Sequence, residues 1–465
     1  MENLDSKLDK YAEIIVKIGA NVQNGQKVWI NTTTDSLPLV HRIAEKAYKL
    51  GASDVHIKLS DDRLSRLHAQ YQDTETYSHV PKWLVDERND YLDNNVVFIH
   101  ILSSSPNLFA GIDSEKLGAV AKNVGEAFKY YRSRIMTDAN SWTIASYPSA
   151  DWAKLVFPEE KDEEKAKEKL LDAILKTVRI DKEDPVKAWE EHYNNLSKRA
   201  KYLNEKSFKA LHYTSNGTDL TVGLPQNHVW LAAGSENSKG TAFLPNMPTE
   251  EVFTCADKYN INGYVSNKRP LSYQGNIIDD FKLTFKDGKV VDFEAKKGYD
   301  ILKQLLDTDE GAKSIGEVAL VPHDSPISNS GILFYQTLFD ENASNHLALG
   351  AAYPTNVKGG KDMSEEELEK AHINQSITHV DFLDTETMSV EHLIKGTYIK
   401  MIDVFPMLYD MIYRVSKGEK RGTIMQTALS YLLKSRMLKL VQQEEPDVMV
   451  FTHPFPCGAA SILKR

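Results

Sequence analysis

Acidic and imidazole side chains recur at close spacing between Glu250 and Asp381. Glu250 and Glu251 follow the turn-like Asn246-Met247-Pro248-Thr249, and Glu317 lies in IGEVAL, where apolar neighbours bury its backbone. Glu341 and His346 share DENASNHLALG. His379 and Asp381 share ITHVDF, and their i, i+2 spacing puts both side chains on one face of a strand. A carboxylate left unpartnered among apolar residues is strongly penalised or takes up a proton. Several such groups converging on divalent cations escape that penalty. The donor set suits zinc, cobalt, manganese or magnesium and not copper–thiolate or iron–sulfur chemistry.

Each element taken alone has a plainer reading. Glu317 could be a rim residue, His346 a hydrogen-bonded core histidine, and a single HxD pair carries little weight. It is their occurrence together within about 130 residues that points to a metal site.

Two kinds of scaffold are expected to position these groups. Over residues 1–158, short apolar runs (27–31, 54–59, 96–102 and 142–147) alternate with helical patterns at 37–50 and 114–136, which predicts an α/β domain with a mainly parallel sheet. Residues 159–207 are rich in Glu/Lys pairs at helical spacing and read as connecting helices with a solvated charged face. Residues 208–383 turn strand-rich, with candidates at 210–213, 219–224, 229–232, 282–285 and 289–293 and helices at 299–306 and 364–370. This is an α+β domain that would carry the metal ligands. Asp287-Gly288 marks a tight hairpin within it.

Composition narrows the function. The net charge of −10 and pI of about 5.8 argue against a nucleic-acid partner, which needs a clustered basic surface. Two distant cysteines, Cys255 and Cys457, make neither a disulfide framework nor a thiolate zinc site. The N-terminus is an amphipathic helix pattern without the apolar core of a cleavable leader, and no run reaches the ~18 apolar residues of a membrane span, so a cytoplasmic protein is expected.

Five segments then carry a family resemblance: GTDLTVGLP (217–225), NMPTEEVFT (246–254), IGEVALV (315–321), LFDENASNHLALG (338–350) and NQSITHVDF (374–382). In order and spacing they resemble the signature segments of the aminopeptidase T, aminopeptidase S and PepS family of metallopeptidases, over about residues 1–382. The resemblance implies two divalent ions held by Glu251, Glu317, Glu341, His346, His379 and Asp381, with Glu250 an alternative to Glu251. It implies peptide substrates, an active-site tyrosine at Tyr353, a proton-transferring carboxylate at Glu317 or Glu251, and a homodimer with an enclosed cavity.

Beyond Phe382 that resemblance ends. Residues 380–465 are similar to part of the N-terminal domain of diacylglycerol glucosyltransferases and monogalactosyldiacylglycerol synthases. They lack that family's opening glycine-rich loop and its nucleotide-sugar domain, so glycosyl transfer is not expected. This tail reads as helical. Its apolar stretch around 394–413, with Lys395, Lys400 and Arg414, is expected to pack on the core in preference to a membrane. A peptidase fold serving as an inactive scaffold for the tail is the competing reading. Metal content measured together with activity on an aminoacyl amide separates the two.

Overall fold

The computed structural model describes residues 4–383; the expected tail helix lies outside the described residues, as does Cys457. The apolar runs of the first half become four parallel strands in the order Asp54–Ser60, Lys27–Thr33, Val97–Leu102, Trp142–Ser146. Lys27–Thr33 is buried on both faces, as a strand between two helical layers requires. The crossover helix Leu37–Lys49 packs inward through Leu39, Val40, Ile43 and Ala47, which share one helical face. The stretch expected as one helix over 114–136 is two, Ser114–Ala127 and Lys129–Met136. The break falls at Phe128 (φ −102°, ψ 24°), whose ring takes the Arg88 guanidinium 4.3 Å from its centroid, so tertiary packing overrides a continuous helical pattern.

The connecting helices are Glu163–Thr177 and Pro185–Lys206, each started by an aspartate whose carboxylate accepts backbone N–H bonds, Asp162 and Asp184. Their charged residues face outward, and Leu170, Ile174, Trp189 and Leu196 are buried. Next comes an antiparallel sheet in the order Leu271–Tyr273, Asn276–Lys286, Ile261–Ser266, Thr218–Gly223, Ala210–Ser215, with Lys289–Lys297 on the other edge of Asn276–Lys286. Asp287 and Gly288 both have positive φ (49° and 87°) and turn the hairpin as expected. A Cβ at Gly288 would strike the Lys258 carbonyl. The strand expected at 229–232 does not form. Val229 N–H goes to the Asn356 carbonyl, and Leu231 makes one isolated bridge to Phe253.

A third sheet, antiparallel throughout, carries the chemistry: His379–Leu383, His346–Gly350, Ile315–Leu320, Val252–Cys255, in that order. One continuous apolar core, from Leu8 to Phe382, joins this sheet to the parallel one. Among the described residues no helix is long and apolar enough to cross a membrane. Cys255 is a buried free thiol whose pKa burial pushes up to about 12, so it is no thiolate.

Candidate metal centre

The alternation of the third sheet sorts its side chains. Val380 and Phe382 go to the core, Phe382 against Phe281 with ring centroids 5.8 Å apart, each worth about 1.5–3 kcal/mol on burial. His379 and Asp381 therefore face the other way. Paired residues of adjacent strands share a face. Ala348 lies opposite both Glu317 and Asp381, Ala319 opposite His346, and Gly350 opposite His379. Each large polar group thus sits beside an alanine or glycine, which leaves space above the sheet. Gly316 forms the register shift beside Glu317, where a Cβ would come 2.2 Å from the Gly350 carbonyl oxygen.

Glu251 enters this face just before Val252–Cys255, and Glu341 from the helical turn preceding His346. Three overlapping groups have ligand-type atoms within 4.8 Å of one another: Glu251, Glu317 and His346; Glu317, His379 and Asp381; Glu341, His346 and Asp381. All six residues expected as ligands are brought together.

The histidine tautomers follow from their partners. Nδ1–H of His346 donates to the Glu341 carbonyl (2.9 Å), and Nδ1–H of His379 donates to the Ala351 carbonyl (2.6 Å). A carbonyl can only accept, so in a neutral ring Nε2 presents a lone pair, the arrangement of a metal-ligating imidazole. His346 Nε2 lies 3.1 Å from Glu251 Oε2, 3.8 Å from Glu317 Oε1 and 3.9 Å from Asp381 Oδ1. His379 Nε2 lies 3.6 Å from Asp381 Oδ1 and 4.0 Å from Glu317 Oε2. The buried oxygens Glu251 Oε2 and Asp381 Oδ1 have no aligned hydrogen-bond partner. Acceptors converge on acceptors in a buried space. That is a poor arrangement for protein groups alone and a good fit to divalent cations.

Protonation tells the same story. Burial, helped by neighbouring carboxylates, raises Glu317 and raises Glu341 well above the ordinary glutamate range. Burial lowers the affinity of His379 and His346 for a proton, but the surrounding carboxylates win. His379 goes up to about 9 and His346 also rises. Asp381 is held below its usual range, the His379 charge outweighing burial. Without a cation, protons partly take its place.

The adjacent glutamates separate cleanly. Glu251 joins the cluster, whereas the Glu250 carboxylate accepts from Arg179 Nη2 at 2.7 Å and lies 3.5 Å from His192 Nε2. Burial raises Glu250 to about 7 and lowers His192 to about 4. Tyr353 packs edge-on against His379 (5.3 Å) and Phe253 (5.9 Å), and burial keeps its phenol protonated.

A cavity of about 290 Å³ opens beside these groups. Its opposite wall includes Leu102, Trp142 and Ile144 of the parallel sheet, together with Asp138. Asp138 accepts from Ser235 Oγ and lies 3.6 Å from Lys361 Nζ. Sequence reasoning missed these wall residues and the Arg179, His192 and Asn342 contacts behind the ligands. The positive φ of Asp138 (56°) marks a special position only once the backbone is seen.

Buried carboxylates and imidazoles on one sheet face, over a cavity closed by an α/β layer, define a metalloprotein with hard and borderline donors. The chain belongs to the thermophilic metalloprotease family M29, which matches residues 4–402. It is 49% identical to aminopeptidase AmpS of Bacillus subtilis, covering 82% of this chain and 93% of that protein. It is 47% identical to aminopeptidase PepS of Streptococcus thermophilus over the same shares. The solved structure of wild-type AmpT from Thermus thermophilus superposes with a TM-score of 0.76 at 35% identity, covering 83% of this chain and 94% of that one. The monogalactosyldiacylglycerol synthase family matches residues 363–465. The described part of that match, residues 363–383, contains helix Glu365–Lys370 and the ligand strand His379–Leu383, so there it is built into the peptidase fold.

Proposed function

We propose that this chain is a dinuclear metalloaminopeptidase that releases the N-terminal residue of peptides at the cluster of Glu251, Glu317, Glu341, His346, His379 and Asp381. Membership of a metalloprotease family and close likeness to proteins named aminopeptidases support the activity. The observation that carries the two-ion reading is the three overlapping ligand groups, which share Glu317, His346 and Asp381 pairwise. Divalent ions bound there would polarise the scissile carbonyl and bring the pKa of a water toward ~7.

The chain's own residues do the rest. The cavity receives the first residue of the peptide between the ligand sheet and the wall of Leu102, Trp142 and Ile144. Glu317 or Glu251, deep in the site, relays a proton from the attacking water to the leaving amine. The neutral phenol of Tyr353, whose ring packs against His379, donates a hydrogen bond to the oxygen that becomes negative in this reading. A cytoplasmic homodimer is the setting we propose, and sedimentation of the purified chain tests the dimer.

Dialysis against a chelator is expected to abolish release of N-terminal residues, and zinc or cobalt to restore it at two equivalents per chain. An N-acetylated peptide should resist cleavage. Full activity in the metal-free chain, or equal turnover of blocked and free peptides, refutes the proposal.

A further inference from the structure

We propose that Arg179 and Glu250 form a positioning clamp that aims the carboxylate of Glu251 at His346. The inference rests on the reading of Glu251 as a metal ligand. Residues 245–251, which lead into strand Val252–Cys255, have no regular structure. They are instead tied to the rest of the molecule at separate points. Ile144 on the edge of the parallel sheet donates its N–H to the Pro245 carbonyl (2.7 Å) and accepts from Met247 N–H (2.9 Å). The Thr249 carbonyl accepts from His192 Nε2 (2.8 Å) on the second connecting helix. Glu250 N–H donates to Asn342 Oδ1 (2.7 Å), and the Asn342 amide in turn donates to Glu341 Oε1 (3.3 Å). One fully buried asparagine therefore joins the backbone beside one ligand to the carboxylate of another.

The Arg179–Glu250 pair completes this arrangement. Both side chains are almost wholly removed from water, at 9% and 3% exposure. The guanidinium also lies 4.9 Å from the Trp189 ring centroid and donates to the Thr177 carbonyl (3.3 Å). Arg179 itself sits at φ 64°, a strained conformation for a residue with a side chain. A buried ion pair is weak evidence for stability, because apolar replacements of both partners commonly fold as well. Its geometric effect is direct. The two adjacent side chains reach different partners, Glu250 to Arg179 and Glu251 to His346, so anchoring Glu250 fixes the backbone from which Glu251 reaches His346. Supporting contacts of this kind typically tune metal affinity by 10–100-fold.

The test uses the full-length chain, stripped with a chelator and titrated with zinc by calorimetry. Glu250→Gln and Arg179→Met are expected to weaken binding of one of two equivalents by about tenfold or more. They should lower kcat with little change in KM, and Arg179→Lys should recover part of the loss. If these variants only lower the thermal midpoint of the metal-free chain and bind zinc and turn over normally once folded, the pair is structural and the clamp is refuted. Should Arg179→Met fail to fold, the near-isosteric Glu250→Gln and Arg179→Lys decide the question. Glu251→Gln is the control. Loss of zinc in Glu251→Gln alone refutes the clamp and spares the site, whereas normal zinc binding by Glu251→Gln overturns the site and the clamp together.

Discussion

Glu317→Gln is the substitution whose consequences the geometry defines most fully. Glu317 belongs to two of the three ligand groups, and its oxygens divide between the histidines, Oε1 3.8 Å from His346 Nε2 and Oε2 4.0 Å from His379 Nε2. Glutamine keeps the shape, removes the charge and places an amide donor among groups that need an acceptor. Loss of a shared ligand or proton relay should lower the rate by roughly 10²-fold or more. The stability effect should depend on metal. In the metal-free chain, burial and the charges of Asp381 and Glu251 already hold the Glu317 carboxyl above its ordinary range, so a neutral side chain relieves repulsion and the thermal midpoint should hold or rise. With zinc well above its dissociation constant, a hundredfold weaker affinity removes about 2.7 kcal/mol of metal-linked stabilisation. Calorimetric scans with and without zinc, run beside hydrolysis of an aminoacyl amide, measure both. A variant with near-normal rate, two bound ions and an unchanged zinc increment would show that Glu317 is only a buried strand residue.

Two other perturbations probe different layers. Ala348→Val adds bulk to a fully buried position between Glu317 and Asp381. It should cost about 1–3 kcal/mol in stability and, by displacing carboxylates ~1 Å, up to about 10²-fold in rate, measured as kcat against a conservative change at Leu347 on the core face. His100, which contacts Asn31 Nδ2 and the Tyr131 hydroxyl at 3.2 Å each, is pushed from 6.5 to about 4 by burial and the nearby Arg88 charge. The unfolded chain then binds a proton that the folded chain refuses. Stability present above about pH 6.5 is lost as pH falls toward 4, on the order of 3 kcal/mol in all, and His100→Gln should flatten that part of the pH–midpoint curve.

Strand positions in the first half were legible because short apolar runs set between helical patterns are a local property of the sequence, and so was the shared strand face of His379 and Asp381. So was the co-occurrence of ligand types. What escaped depended on distant residues. The separation of Glu250 from the cluster depends on Arg179, 71 residues away, in the turn between two connecting helices that read from sequence only as a charged surface. The break at Phe128 depends on Arg88, and the missing strand at 229–232 on Asn356 and Phe253 taking its backbone bonds one at a time. The cavity wall comes from the parallel sheet, whose apolar residues look the same whether they face a core or a substrate.

One signal for the site was nevertheless present and is physical. In GEVAL and HLALG the residues that follow Glu317 and His346 on the same face are small: Ala319 two places after Glu317, and Ala348 and Gly350 two and four places after His346. A strand built only for burial would favour large or β-branched side chains there, since each fills volume and lowers the free energy of the fold. Small residues at those positions give up that gain on one face while Val318, Leu347 and Leu349 keep it on the other. The register explains the asymmetry, because each small residue lies across from a carboxylate or imidazole on the next strand. The space they leave is where carboxylate and imidazole atoms approach, in three overlapping groups of three residues, to within 4.8 Å of one another.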